Sequence, residues 1–534
     1  MSKGNQREKG EKIMPNAFLN GLQSNASYTT TANGGLAHKS TGTALYDLFA
    51  LGAAYRKRSD EDCILLFRKA FDEDPVYALK CLFYIRDVRG GQGERRFFRL
   101  CMRDLVARNI DAARRNLSHI PEYGRWDDLY IFAGTALEAE AFAFIRKQLA
   151  LDVQCKTPSL LAKWLKSENT SSQDSRVLGN LTRKYLKMSH KQYRKTLSIL
   201  RTRINIVEKL MSTGQWDKIE FDKIPSKAGL IYKNAFARHD LERAKNENVQ
   251  SYADFAKDTT KKVNTKALYP YECVAEALKT FRTGHYYNAS MPALDDTNRL
   301  MVNKYWDNLA DYFKGATLNA LAVVDTSGSM VSSDAAAPIN VAISLGLYCA
   351  EKAKGPFAGH YVSFSSTPQL ISTEGVDFVD KVYRIYRTNL CQNTNLEATF
   401  DMLLNTAIQN RCSQADLPKT IIVISDMQID QGSEFRSGGW YYTANEARMA
   451  ETRSRVKTMM ENMRIKWLNH GYELPNLVYW NVNAAGKDVI LDDGPNVSYV
   501  SGFSPSIFEQ IMSGKTGIDL MFETLDSNRY SIIN

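Results

Sequence analysis

Apolar residues recur at intervals of three and four through most of the N-terminal half, then give way to short unbroken apolar runs. From Thr43 the segments TALYDLFALGAAYR, EDCILLFRKAFDED, PVYALKCLFYIRDVR and ERRFFRLCMRDLVARN carry the helical spacing. Pro75 and the RGGQG stretch at 89–93 sit at the breaks between them. Helical spacing continues through ALEAEAFAFIRKQLALD and SLLAKWLKSE towards residue 300, with almost no strand-like alternation. At roughly 40 residues per helical hairpin, residues 41–315 read as an all-α, HEAT-like solenoid of about six or seven repeats. Residues 1–40, rich in Asn, Gly, Ser and Thr, read as a mostly extended leader.

After residue 315 the pattern changes. LNALAVVD (318–325) is a continuous apolar run ending in a polar loop, as expected of a strand buried on both faces. A helix (INVAISLGLYCAEKA), a strand (GHYVSFSS) and a helix near 396–410 follow. TIIVISD (420–426) is a second buried strand, followed by the long helix EARMAETRSRVKTMMENMRIKWLNHG, the strands NLVYWNVN and VSYVSG, and a last helix. Strands alternating with helices predict a doubly wound, Rossmann-like α/β domain with a parallel sheet over 316–534.

Composition sets the outer limits. The 534 residues are 44% hydrophobic and 24% charged, ordinary for a globular protein. No run approaches ~18 consecutive apolar residues, and the N-terminus lacks the apolar core of a secretory signal, so no membrane span and a cytoplasmic location are expected. The eight cysteines (Cys63, Cys81, Cys101, Cys155, Cys273, Cys349, Cys391 and Cys412) are scattered, a spacing that suits buried reduced thiols better than zinc or disulfides. The net charge of +10 is unevenly divided. Residues 1–320 hold 52 Lys and Arg against 36 Asp and Glu, a net +16; residues 321–534 hold 17 against 23, a net −6. A basic helical half points to a polyanionic partner.

Candidate chemistry gathers at the ends of two buried strands. In a doubly wound sheet, ligands bind beyond the carboxyl ends of the strands, where strand order reverses. Asp325 closes LAVVD and Asp426 closes IIVISD. Ser327 and Ser329 follow Asp325 with Gly328 between them, and Thr394 lies just before a helix in CQNTNLE. Hydroxyls and carboxylates of this kind suit Mg²⁺ or a similar hard divalent cation. Few direct anionic ligands leave the metal charge to spare, so an acidic group of a partner protein can complete the coordination. The set Asp325, Ser327, Ser329, Thr394 and Asp426 resembles the DxSxS…T…D pattern of the metal-ion-dependent adhesion site in von Willebrand factor A domains. Gln392-Asn393 before Thr394, and Met427 after Asp426, stand where such domains often carry glycine.

In the helical half, no acidic residue occurs between Asp174 and Glu208, whereas nine Lys and Arg do. Arg183, Lys187, Lys191 and Arg194 are expected along one helical face, with Lys184 and Lys195 at its edge and Arg201 and Arg203 beyond. Tyr185 and Tyr193 are interleaved and suited to stacking on unpaired bases. A second cluster, Arg86, Arg89, Arg95 and Arg96 around RDVRGGQGERR, lacks the preceding strand and the Lys-Ser/Thr pair of a phosphate loop. It is expected as a helix–helix turn that displays arginines.

The segments LAKWLKSENTSS, HKQYRKTLSILRTRINIVEKLMSTGQWDKIEFDKIPSKA and KNAFARHD resemble the Ro ribonucleoprotein (TROVE-like) family, as do RDVRGGQGERRFFR and EYGRWDDLY upstream. A von Willebrand-type domain opening LAVVDTSGSM completes that family's layout, and the chain looks closer to the Ro-like branch than to the animal autoantigen. The resemblance implies a HEAT-repeat ring closed by the A domain. Such a ring binds small structured RNAs on its basic surface and single-stranded RNA ends in its hole. It places RNA contacts on the basic segment 183–203 and on Lys163 and Lys166. No GxSxG elbow, Walker motif, HExxH or histidine cluster is present, so a non-catalytic RNA-binding protein is expected. The alternative is a metal-dependent protein–protein scaffold whose basic half is merely solvated.

Overall fold

The computed structural model describes residues 28–30, 36–279, 296–331, 337–364, 367–388, 395–428, 459–484, 490–491, 494 and 496–534. The helical half starts from local signals. Ser59 caps the helix Asp60–Glu73 by accepting from the Asp62 amide, and Asp60, Glu61 and Asp62 favour its positive N-terminal end. Asp74 ends that helix and caps the next, Pro75–Arg86, with Pro75 in the first turn where its missing N–H costs nothing. The helices Arg96–Arg108, Glu138–Gln154, Gln173–Tyr185, His190–Arg203, Ser226–Arg238, Pro270–Leu278 and Asp296–Asp307 carry the array onward. No described helix is long and apolar enough to cross a membrane.

Two short strands precede the helices. β1 (Tyr28–Thr30) and β2 (Leu36–His38) form an antiparallel pair. Backbone bonds link His38 to Ile490 in both directions, at 2.7 and 3.0 Å. Residue 38 is thereby tied to the C-terminal domain.

That domain holds a six-stranded mixed sheet. Its strands are β3 (Ala320–Asp325), β4 (His360–Phe364), β5 (Gln369–Ser372), β6 (Thr420–Ser425), β7 (Asn476–Asn481) and β8 (Val497–Ser501). The spatial order is β5-β4-β3-β6-β7-β8, parallel throughout except for β5, which runs antiparallel to β4. The expectation of a purely parallel sheet is corrected by β5, a short edge strand whose largely exposed residues carry little apolar signal. Every residue of β3 is buried, as its continuous apolar run requires. From β3 the chain crosses to β4 on one side, and later to β6 on the other. Strand order therefore reverses between β3 and β6. Of the long helix expected over 446–471, Met459–Asn469 is described.

The helical half grips this domain at both of its ends. Near the chain start, Tyr46 Oη accepts from the Tyr499 amide (2.8 Å), and Ser501 Oγ accepts from the Ala53 amide (3.2 Å). Gln92 Oε1 accepts from the Ser504 amide (3.3 Å), and buried Asp87 is held by Arg529 and by Tyr530 Oη. At the other end, Trp306 stacks on Phe378 with centroids 4.1 Å apart, and Arg299 pairs with Asp377 at 2.7 Å. All described cysteines are free; five are buried, Cys412 is half-buried and Cys155 is exposed, contrary to the expected burial.

One glycine is required at the first seam. Gly502 has φ +113°, and a Cβ there would lie 2.2 Å from Gln92 Oε1 and 3.0 Å from Ala53 Cβ. Gln92 is fully buried and bonded to Tyr84, so it cannot swing away. Gly502→Ala is expected to lower unfolding stability by about 2 kcal/mol, through the backbone conformation and the overlap together. Urea denaturation checks this, and an unchanged midpoint would show that the seam yields.

Candidate metal centre and basic face

The carboxyl edge of the sheet brings four of the five expected metal-site residues together. Asp325 ends β3 and Asp426 directly follows β6, so their neighbouring strands deliver both carboxylates to the reversal point. Asp325 is completely buried: Oδ1 accepts from the Ser327 amide (2.9 Å) and Oδ2 from the Ser425 hydroxyl (2.5 Å). The Ser327 and Ser329 hydroxyls lie 3.1 Å apart, turned to the same side by the loop at Gly328. Asp426 is buried and accepts from the Gln428 amide at 3.1 Å. Thr394 lies outside the described residues. Met427, at a position where such domains often carry glycine, has φ 62°; its amide donates to Ser425 Oγ at 3.0 Å. A methionine held left-handed beside two buried acids is backbone strain of the kind found at functional sites.

Electrostatics favours a cation here. Burial, and then the charge of Asp426, push the Asp325 carboxyl up to about 7. Burial also raises Asp426, opposed by hydrogen bonds from Gln428 and Ser329. Neither acid forms an ion pair with a described residue, and the buried Thr326 hydroxyl between the two ligand positions has no hydrogen-bond partner. No group of three or more His, Cys, Asp or Glu that could hold a metal occurs among the described residues. The centre is thus two carboxylates and two serine hydroxyls, a donor set that fits a hard, partly hydrated ion such as Mg²⁺ and not zinc.

The basic segment is built differently from the expected single face. The helix Gln173–Tyr185 stops, Lys187 adopts φ 54°, and a new helix begins behind Ser189, whose side chain and that of Gln192 form a reciprocal capping box. The expected continuous stripe through Lys187 is therefore broken by a turn. The Ser-x-x-Gln spacing was the sequence signal for it. Arg183 is drawn inward to Glu168 (2.7 Å), Arg201 donates to the carbonyls of Ala162 and Leu165 (both 2.9 Å), and Arg203 donates to the Val153 carbonyl (2.8 Å). These three brace the fold. Lys184, Lys187, Lys191, Arg194 and Lys195 are exposed and make no ion pair with a described residue. Lys163 and Lys166 are half-buried on the segment beneath. A cleft next to them is lined by Lys163, Arg194, Arg201 and Lys209, with Glu168 and Glu208.

The tyrosines do not serve as expected. Tyr193 is fully buried with its hydroxyl on the Lys166 carbonyl (2.7 Å), and Tyr185 stacks on Phe142 at 4.6 Å. The 86–96 turn displays Arg89 and Arg95, each with a partner, and buries Arg86. Arg86 is buried against Asp128, Arg89 reaches the Glu122 carbonyl, and Arg95 and Arg96 pair with Asp127 and Asp60.

Fold and site together define a helical protein with a C-terminal α/β domain whose sheet edge carries paired buried acids. The chain belongs to the DUF2828 family, a domain of unknown function whose model matches residues 31–142 and 147–317. Residues 319–529 match a second domain of unknown function, DUF7788. Over 532 residues the chain is 27% identical to "Uncharacterized protein L728" of Acanthamoeba polyphaga mimivirus, an alignment that spans 92% of this chain and 85% of that protein.

Proposed function

We propose that the protein is a non-catalytic RNA-binding protein of the Ro type. In this reading residues 41–315 form a HEAT-like ring, and a von Willebrand factor A-type domain over 316–534 closes it. The observation that carries the reading is the group Lys184, Lys187, Lys191, Arg194 and Lys195, five exposed cations with no acidic partner among the described residues. Ordinary surface helices mix charges, and an uncompensated group of this size attracts phosphates. Contacts at both ends of the helical half support a closed ring. The strand order, with its antiparallel edge strand and paired acids at the reversal point, supports the A-type domain. Asp325, Ser327, Ser329 and Asp426, completed by Thr394, would hold Mg²⁺, and the ion would polarise and bind an acidic group of a partner or brace the closing domain.

Filter binding of a structured RNA at rising salt tests the reading. Affinity is expected to fall steeply and linearly on a log–log plot, because each neutralised phosphate releases counterions. Replacing Lys184, Lys187, Lys191 and Lys195 by Gln is expected to flatten that slope. Absent binding at low salt, or affinity indifferent to salt, would overturn it. Retention of the same Mg²⁺-dependent protein partners without RNA, lost on Asp325→Ala, would favour the scaffold reading instead.

A further inference from the structure

The densest group of cations in the helical half surrounds a single buried carboxylate. Around Asp127 lie Arg99 at 3.2 Å, Arg125 at 3.4 Å, Arg95 at 3.8 Å and Lys166 at 4.0 Å. The adjoining Asp128 is already matched, gripped by buried Arg86 at 2.6 Å and by Arg99 at 2.7 Å. Five cations thus share two carboxylates, a local excess of +3.

That excess is poorly satisfied. Asp127 Oδ1 and Arg125 Nε are both buried, and neither has a hydrogen-bond partner, although they face each other. Separations of 3.4 to 4.0 Å give Coulomb attraction without directed hydrogen bonds. A purely structural ion-pair network would be expected to close with balanced charge and short contacts. Here the outer cations stay open to solvent, with Arg95 46%, Lys166 32% and Arg125 28% exposed along the side chain. Beside them stands Trp164, half-buried, with the Arg125 guanidinium 4.2 Å from its ring centroid. A half-buried indole beside this positive charge, with the Arg125 guanidinium over its ring, suits a ligand that joins an anion to a planar ring.

We propose that Arg95, Arg125 and Lys166 hold a backbone phosphate of single-stranded RNA while Trp164 stacks the base attached to it. This rests on the RNA reading and deepens it. Recognition of unpaired nucleotides is assigned to a preformed site made by the turn after Pro75–Arg86, the turn at Arg125 and the 161–166 segment, distinct from the lysines of 184–195. Phosphate oxygens supply the acceptors that Asp127 alone cannot, and the base needs only its π-face, so the site is tolerant of sequence.

The test uses the full chain and a short fluorescein-labelled polyadenylate oligonucleotide, followed by anisotropy and by tryptophan emission. Trp164→Leu is expected to weaken binding about tenfold, the usual effect of removing one base stack. Trp164→Phe should keep the affinity within a few-fold but lose the quench that the oligonucleotide produces. Arg95→Gln should lower the salt slope by about 0.7, one phosphate contact to a single strand. Because Arg95 is half-exposed, its slope decides the matter even if Trp164→Leu proves unstable. If both variants bind like the wild type while the Lys184, Lys187, Lys191 and Lys195 variant does not, this site falls and the RNA reading stands. If the wild type binds neither the oligonucleotide nor structured RNA, both fall.

Discussion

In a chelating buffer at pH 8, Asp325→Asn is expected to melt at a higher temperature than the wild type. The folded Asp325 carboxyl is pushed up to about 7 by burial and by Asp426, whereas an unfolded aspartate titrates near 4. A group raised on folding contributes stability that is complete below its unfolded value and lost as pH rises through its folded value. Between about pH 4 and pH 7 the metal-free protein therefore loses stability on the order of 3–4 kcal/mol from this group. Asparagine keeps the shape and removes that titration, since the Ser425 hydroxyl that now donates to Oδ2 can turn to accept. The wild type should melt lower at pH 8 than at pH 5, and Asp325→Asn should show less of that difference. Mg²⁺ changes the sign, because a bound cation favours the two carboxylates in their charged forms. Added Mg²⁺ should raise the wild-type midpoint at pH 8 and leave Asp325→Asn unmoved. Equal shifts in both proteins would place the ion elsewhere.

Arg529→Ala is expected to be the most damaging single change at the seam between the chain's two ends. Asp87 is completely buried, and its carboxylate is held by Arg529 through two nitrogens, by Tyr530 Oη at 3.1 Å and by the Arg89 amide at 2.9 Å. Arg529 also presents its carbonyl to Tyr123 Oη. Removing the guanidinium leaves a buried charge without a counter-ion, which costs about 3–5 kcal/mol. Amide exchange should rise in β8, in the C-terminal residues and in the 84–92 turn together, while the helices 190–238 stay protected. Adding Asp87→Asn should recover part of the loss, since it removes the stranded charge. Lys314→Ala is the contrast: both it and its partner Glu509 are open to solvent, so breaking that pair should leave the melting midpoint nearly unchanged. If Arg529→Ala and Lys314→Ala cost the same, Asp87 has another counter-ion.

Much of the site was legible because its signals are local. Asp325, Ser327 and Ser329 fall within five residues on a strand end, and Asp426 ends a second apolar run of the same kind. Two buried strands can end in paired acids only where something offsets the charge, so the chemistry followed from residue type and position. β5 was not legible, since an edge strand with one face to solvent needs few apolar residues. The basic segment was only half legible. Residue counts located its lysines, but the brackets on Arg183 and Arg201 lie on Glu168 and on the carbonyls of Ala162 and Leu165, too far along the chain to read.

Residue pattern marks where helices yield to strands, which strands are buried, and which acids and hydroxyls stand at their carboxyl ends. Periodicity and capping record each residue's immediate environment, so these survive without knowledge of the path of the chain. Long-range packing makes β3 and β6 neighbours, so that the charge of Asp426 adds to burial in raising Asp325. It alone decided that Tyr193 is core rather than platform, and that Asp127 gathers more cations than it can neutralise. It also joined residue 87 to residue 529. The physical reason is common to all four. Burial and charge pairing depend on what arrives from distant parts of the chain, and no local pattern of polar and apolar residues specifies that arrival.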